Sequence, residues 1–152
     1  MEQQSLYFED LEAGYSVKTP ARTVTKADIT AFAHLSDDHN PLHIDAEYAA
    51  TTTFGQPIAH GLLILSIATG AAYNLGFLDG TIEAFVGMDW KFRAPVIVGD
   101  AVYVQITVRR KRKVPDYPGG LAVFDVEVLN QDDQVVQRGH WTILVRGRQD
   151  VD

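Results

Sequence analysis

Residues 58–75 carry apolar side chains around every side of a helix: Ile58, Leu62, Leu63, Ile64, Leu65, Ile67, Ala68, Ala71, Ala72 and Leu75. An ordinary surface helix has one apolar stripe, so a helix of this kind must be surrounded by other elements. His60, Ser66, Thr69, Asn74 and several glycines interrupt the run. A membrane span needs about 20 mostly apolar residues, so the segment predicts a buried helix and no membrane partner. At 152 residues and 46% hydrophobic content the chain has enough core for one domain, 1–152, with its core at about 5–146.

The residues that follow supply the surroundings. Val102, Val104, Ile106 and Val108 alternate with Tyr103, Gln105, Thr107 and Arg109, the period of a half-buried strand. Ala122, Phe124, Val126 and Val128 repeat the pattern. Strands are expected at 83–93, 101–113, 121–130 and 134–146. Gly99-Asp100 and Asn130-Gln131-Asp132-Asp133 are read as turns between antiparallel neighbours, and 111–120, with its prolines and glycines, as a mobile loop.

Upstream, residues 15–24 read as an edge strand. Thr25 and Asp28 form a capping box for a helix with Ile29, Phe32, Ala33 and Leu35 near one face, ending before Asp37. Asp45 caps a second short helix, 46–51. The sum is an α+β chain in which an antiparallel meander curls around a long central helix, the hot-dog arrangement. Such a sheet leaves an edge strand open, and a homodimer would cover it.

Charge and composition exclude several function classes. There is no cysteine, hence no disulfide, thiolate metal site or cysteine nucleophile. A net charge of −7 argues against nucleic acid and anionic membranes as partners. No targeting segment is visible, which predicts a cytoplasmic protein.

Ser36-Asp37-Asp38-His39-Asn40-Pro41-Leu42-His43-Ile44-Asp45 concentrates acids, imidazoles and an amide in a segment that Pro41 keeps from forming one helix. Three readings are open from residue types alone. The segment is an exposed polar turn; or Asp38, His39 and His43 ligate a metal; or a carboxylate and an imidazole hold one water for acid–base work. Phe54-Gly55-Gln56-Pro57-Ile58-Ala59-His60-Gly61 opens the long helix. Gly61 there either relieves crowding or offers its N–H to a developing oxyanion. His60 reads as a structural histidine. Ser66 and Thr69 bond back to the preceding turn or support Asp38.

Taken together, Asp38-His39-Asn40-Pro41-Leu42-His43 and the segment ending His60-Gly61 resemble the MaoC-like dehydratase family, which includes the (R)-specific enoyl-CoA hydratases. The likeness extends through Tyr7-Phe8-Glu9-Asp10-Leu11-Glu12-Ala13-Gly14, Trp90-Lys91-Phe92-Arg93-Ala94-Pro95-Val96 and Val98-Gly99-Asp100, to about residue 146. The resemblance implies a dimeric hot dog that adds water reversibly to a trans-2-enoyl-CoA thioester, giving the (R)-3-hydroxyacyl-CoA. It implies Asp38 and His43 as the catalytic pair, Gly61 as the oxyanion donor and Asn40 as a residue shaping the loop. No cofactor or metal is implied, coenzyme A being part of the substrate. The run Arg109-Arg110-Lys111-Arg112-Lys113 is either a solvated strand end or a contact for the coenzyme A phosphates. An acyl-CoA thioesterase and a non-catalytic acyl-CoA-binding module are the alternatives.

Overall fold

The computed structural model describes residues 4–149. A 3-10 turn at Phe8–Asp10 leads into β1 (Ser16–Lys18) and β2 (Arg22–Thr23), then α1 (Lys26–Ser36), α2 (Pro41–Ile44), α3 (Ala46–Ala50) and α4 (Gly61–Asn74). Four long strands follow: β3 (Ile82–Phe92), β4 (Ala101–Lys113), β5 (Gly119–Leu129) and β6 (Val135–Arg146). The predicted edge strand at 15–24 is divided in two, because Pro20 has no N–H to give to β4.

The sheet order is β1-β4-β5-β6-β3, with β2 also on β4 and every pairing antiparallel. This corrects the expected meander. β4, β5 and β6 are sequential neighbours, but β3 pairs with β6, so Gly99-Asp100 joins two strands that are not adjacent. The chain leaves β3 with the Arg93 and Ala94 N–H groups on Val136 O. It then passes under the start of α4, where Ala59 N–H donates to Val96 O (2.7 Å), and reaches the opposite edge at Val24. The expected mobile loop at 111–120 is half strand: β4 runs to Lys113, β5 begins at Gly119, and 114–118 connect them.

Alternation predicts the core well. Val102, Val104, Ile106 and Val108 of β4 and Ala122, Phe124, Val126 and Val128 of β5 are buried against α4. Two expectations about helices need correction. The long helix begins at Gly61 rather than 58, since Ile58 bridges Ile97 and Ala59 is tied to Val96. Nor is the helix enclosed. Leu63, Ile64, Leu65, Ile67, Ala68 and Ala72 are buried, while Leu62 and Tyr73 are each 59% exposed and Ser66 and Gly70 lie open between them. One sheet and α1 cover only part of the circumference. Leu35, six residues beyond Ile29, falls on the far side of α1 and is exposed rather than packed with Ile29 and Ala33.

The capping box of α1 forms as the sequence predicts. Thr25 Oγ1 accepts from Asp28 N–H (3.1 Å) and Asp28 Oδ2 accepts from Thr25 N–H (2.9 Å). Thr25→Ala is expected to cost about 1 kcal/mol, measured by urea unfolding. The Thr25 N–H bond, with Arg22 nearby, holds the Asp28 carboxyl below its usual value of 3.8; Arg148 does the same to Asp10. Both acids ionise more readily folded than unfolded. Their contribution is therefore complete above 3.8 and disappears as pH falls through the lowered folded values. Asp28→Asn is expected to flatten that acid-side loss.

Among the described residues no helix is long and apolar enough to cross a membrane.

Candidate active site

Pro41 separates the acidic segment into two parts with different jobs. Asp37 stops α1 in the left-handed conformation (φ 59°), and Asn40 starts α2 by accepting from Leu42 N–H through Oδ1 (3.0 Å). Asp38 lies between these two caps, exposed, with its Oδ1 accepting from Asn40 N–H (3.2 Å). His43 rides on α2, half-buried. Its Nδ1 is 2.7 Å from Ile58 O. A carbonyl only accepts, so Nδ1 carries the hydrogen and Nε2 keeps its lone pair when the ring is neutral.

The segment 58–60 carries a third member. Ile58 N–H donates to Leu42 O (3.3 Å), Ala59 is tied to Val96, and His60 is left as the residue before the helix. Its side chain makes no capping bond. It turns back so that Nε2–H donates to the backbone oxygen of Asp38 (2.9 Å). The ring is 2% exposed, lies between Phe32 (centroids 4.9 Å) and His43 (4.0 Å, planes 31° apart), and its Nδ1 has no partner among the described residues. Asp38, His43 and His60 thus each offer an atom within 4.8 Å of the others.

The structure therefore brings Asp38 and His43 together and adds His60, which sequence reasoning set aside as structural. It leaves out His39, whose Nε2 lies 4.0 Å from Asp37 and whose ring packs on His34. One nitrogen of each imidazole is committed to a carbonyl, which leaves His43 Nε2 and His60 Nδ1 as the remaining ring nitrogens beside the Asp38 carboxylate.

Gly61 is the first residue of α4, where an N–H has no carbonyl one turn back and the helix dipole is positive. A Cβ on Gly61 would stand 2.6 Å from Phe92 Cε1, so close approach to β3 also asks for glycine. His43, Ile58, Gly61, Phe92, Arg93 and Gln137 help line a cleft of about 490 Å³. His43 and Gly61 therefore border the same space.

Other candidates stand apart from this cluster. Ser66 Oγ donates to Leu62 O and Thr69 Oγ1 to Ser66 O, both at 2.7 Å, so both hydroxyls bond back along the helix and neither is bonded to Asp38. Thr69 instead lines a small apolar pocket of about 70 Å³ with Phe124 and Trp141. The run at 109–113 is the exposed far end of β4. Lys111 Nζ donates to the carbonyls of Phe8 and Glu9, and Arg109 pairs with Asp125. Gln137, the β6 residue bonded to Gly61, pairs with Val128 and so lies in the row of Val104. Arg110 is therefore about 20 Å along the strand from that row. The cation on the chain's own cleft is Arg93.

Residues 10–120 match the family model described as MaoC like domain. An (R)-specific enoyl-CoA hydratase of Aeromonas caviae is 38% identical over 131 residues, 86% of this chain and 92% of that protein. Protein MaoC of Klebsiella aerogenes is 41% identical over 106 residues, 69% of this chain; the match spans 31% of that longer protein. A Mycobacterium tuberculosis protein described as a double hotdogfold superposes with a TM-score of 0.83, covering 97% of this chain and 46% of its own, at 22% identity, which carries the fold alone.

Proposed function

We infer the activity from one premise: this chain belongs to the MaoC-like domain family. It is a hydro-lyase that adds water reversibly across the C2–C3 double bond of a trans-2-enoyl-CoA thioester, giving the (R)-3-hydroxyacyl-CoA. The observation that carries the reading is the convergence of Asp38, His43 and His60, with Gly61, the first residue of α4, lining the same cleft as His43.

The chemistry follows from what each group can accept. The Asp38 carboxylate and His43 Nε2 are both acceptors, and water has two hydrogens to give. Held by both, its oxygen lone pair is free to attack C3. One O–H bond breaks as the C3–O bond forms, and the proton passes to one of the two acceptors. The C2–C3 π pair moves onto the thioester, whose oxygen becomes an enolate oxyanion. Gly61 N–H receives that charge; a donor of this kind is worth roughly 3–4 kcal/mol. The proton then returns to C2. Positioned acid–base work contributes about 10²–10⁴-fold. Neither a metal nor a redox group takes part.

The homodimer belongs to the same reading. β3 ends the sheet, and Phe85, Val86, Met88 and Phe92 on it are exposed, as are Leu62 and Tyr73 on α4. A second copy of the chain covers both surfaces. The purified protein is expected to have the solution mass of two chains by light scattering, and Val86→Lys to lower it to one. A wild-type monomer would remove this part of the reading.

The deciding test is turnover. A trans-2-enoyl-CoA is expected to lose its conjugated absorbance when the protein is added, with no free thiol released. Thiol release points to a thioesterase. Ligand-induced stabilisation without either signal, across a broad panel, points to a binding module.

A further inference from the structure

β6 turns a polar side chain inward. Gln137 is 2% exposed, on the same face as the buried Trp141, Ile143 and Val145. A buried amide costs free energy unless both its ends are paired, and an apolar residue of similar size would pack there without that demand. Both ends are paired. Trp90 Nε1–H donates to Gln137 Oε1 (2.9 Å), and Gln137 Nε2–H donates to Gly61 O (3.0 Å). An indole nitrogen can only donate, so Trp90 fixes the amide's orientation and leaves Nε2 no choice but to face Gly61. Register explains how the three meet. Gln137 lies opposite Phe92, and Trp90 is two residues further along β3, on the same face.

We propose that Gln137, oriented by Trp90, is a positioning residue for the oxyanion donor: by holding the Gly61 carbonyl it fixes the first turn of α4 on β6 and so places the Gly61 N–H. This rests on the reading that Gly61 N–H receives the thioester oxygen. Glycine is the least constrained backbone in the chain, and the first residue of a helix has no hydrogen bond on its own N–H. The peptide that carries this N–H is oriented by the helix itself, because His60 O accepts from Leu63 N–H (3.0 Å) and Ile64 N–H (3.3 Å), but the helix start as a whole still has to be placed on the sheet. Two side-chain bonds place it: the His60 ring is tied to the Asp38 carbonyl, and Gln137 ties the Gly61 carbonyl to β6. The same peptide segment thereby connects the water-holding pair to the oxyanion donor.

The test is a comparison of two backgrounds. Gln137→Leu in the otherwise native protein is expected to lower kcat for a trans-2-enoyl-CoA about 10- to 100-fold, with KM changed little, because the lost geometry matters in the transition state. Trp90→Phe, which frees the amide while keeping an aromatic ring, is expected to fall in the same direction. In a Gly61→Pro background, which has no N–H to aim, Gln137→Leu and Trp90→Phe are each expected to change kcat by no more than about twofold. A merely structural role lowers kcat in both backgrounds, and that result overturns the proposal; so does native kcat with only KM raised. If Gln137→Leu does not fold, Trp90→Phe decides by the same comparison. Failure of the underlying reading looks different: Gly61→Pro itself would turn over at the native rate, or the native protein would not hydrate the substrate.

Discussion

Asp38→Asn is expected to lower kcat for enoyl-CoA hydration by about 10²–10⁴-fold while leaving the melting temperature unchanged. The substitution is nearly isosteric and the side chain is exposed. Its described bond, accepted from Asn40 N–H at 3.2 Å, can be kept by the amide oxygen of asparagine. The other half of the group changes character, since an NH₂ replaces an acceptor oxygen. Water is then held by one acceptor and one donor, with its lone pair drawn away from C3, and one of the two places to put a proton is gone. KM should move little, because the role proposed for Asp38 is to hold the water and not coenzyme A. His43→Ala is expected to fall in the same range, with some loss of stability as Ile58 O loses its donor. Initial rates and thermal melts on the three proteins check this. Native kcat in either variant would remove that residue from the catalytic pair.

Gly61→Pro is expected to lower kcat by about 10²–10³-fold, the usual effect of deleting one oxyanion-hole donor. Proline is tolerated at the first position of a helix, where the N–H it lacks has no intrahelical partner. The residue before it is already suitable, with His60 at φ −56° and ψ 133°, the extended conformation that proline demands of its predecessor. The new Cβ meets Cε1 and Cδ1 of the Phe92 ring, side-chain atoms that must move aside for it. Gly61→Ala is the matched control: it makes the same Cβ contact and keeps the N–H. The prediction is a large gap in kcat between the two variants with similar melting temperatures. Equal activity would mean that Gly61 serves the close approach to β3 and nothing more.

Local signals in the sequence were good guides to local structure. The spacing of Thr25 and Asp28 predicts the box that opens α1, Asp45 caps α3 through the Glu47 and Tyr48 N–H groups, and alternation on β4 and β5 picks out the inward rows. Errors arise where a distant segment decides. The start of α4 is set by Val96 and Ile97, which tie down Ala59 and Ile58, so apolar character alone extends the helix three residues too far. The partner of β3 is chosen by the crossing at 93–100, and nothing in β3 itself names β6. Ser66 and Thr69 have ordinary intrahelical partners that outcompete a remote carboxylate. In the candidate site, proximity of Asp38 and His43 was legible because both lie on one short bent segment. His60, which reads from the sequence as a structural histidine, is buried with its ring on the Asp38 carbonyl and against His43, partners that come from elsewhere in the chain. Gln137 did carry a signal: it is polar at an inward position of a strand whose next inward residues include Trp141, Ile143 and Val145.

The pairing of β3 with β6 has a consequence for biosynthesis. β3 is the first long strand to leave the ribosome and β6 the last, with β4 and β5 made in between. Until β6 emerges, a segment bearing Phe85, Val86, Met88 and Phe92 waits with both edges unpaired. Contacts so far apart in sequence form slowly, and unpaired apolar strands are where nascent chains associate. Premature termination after β5 should therefore yield a chaperone-dependent, aggregation-prone product, even though α4 and the Asp38–His43 segment are already complete.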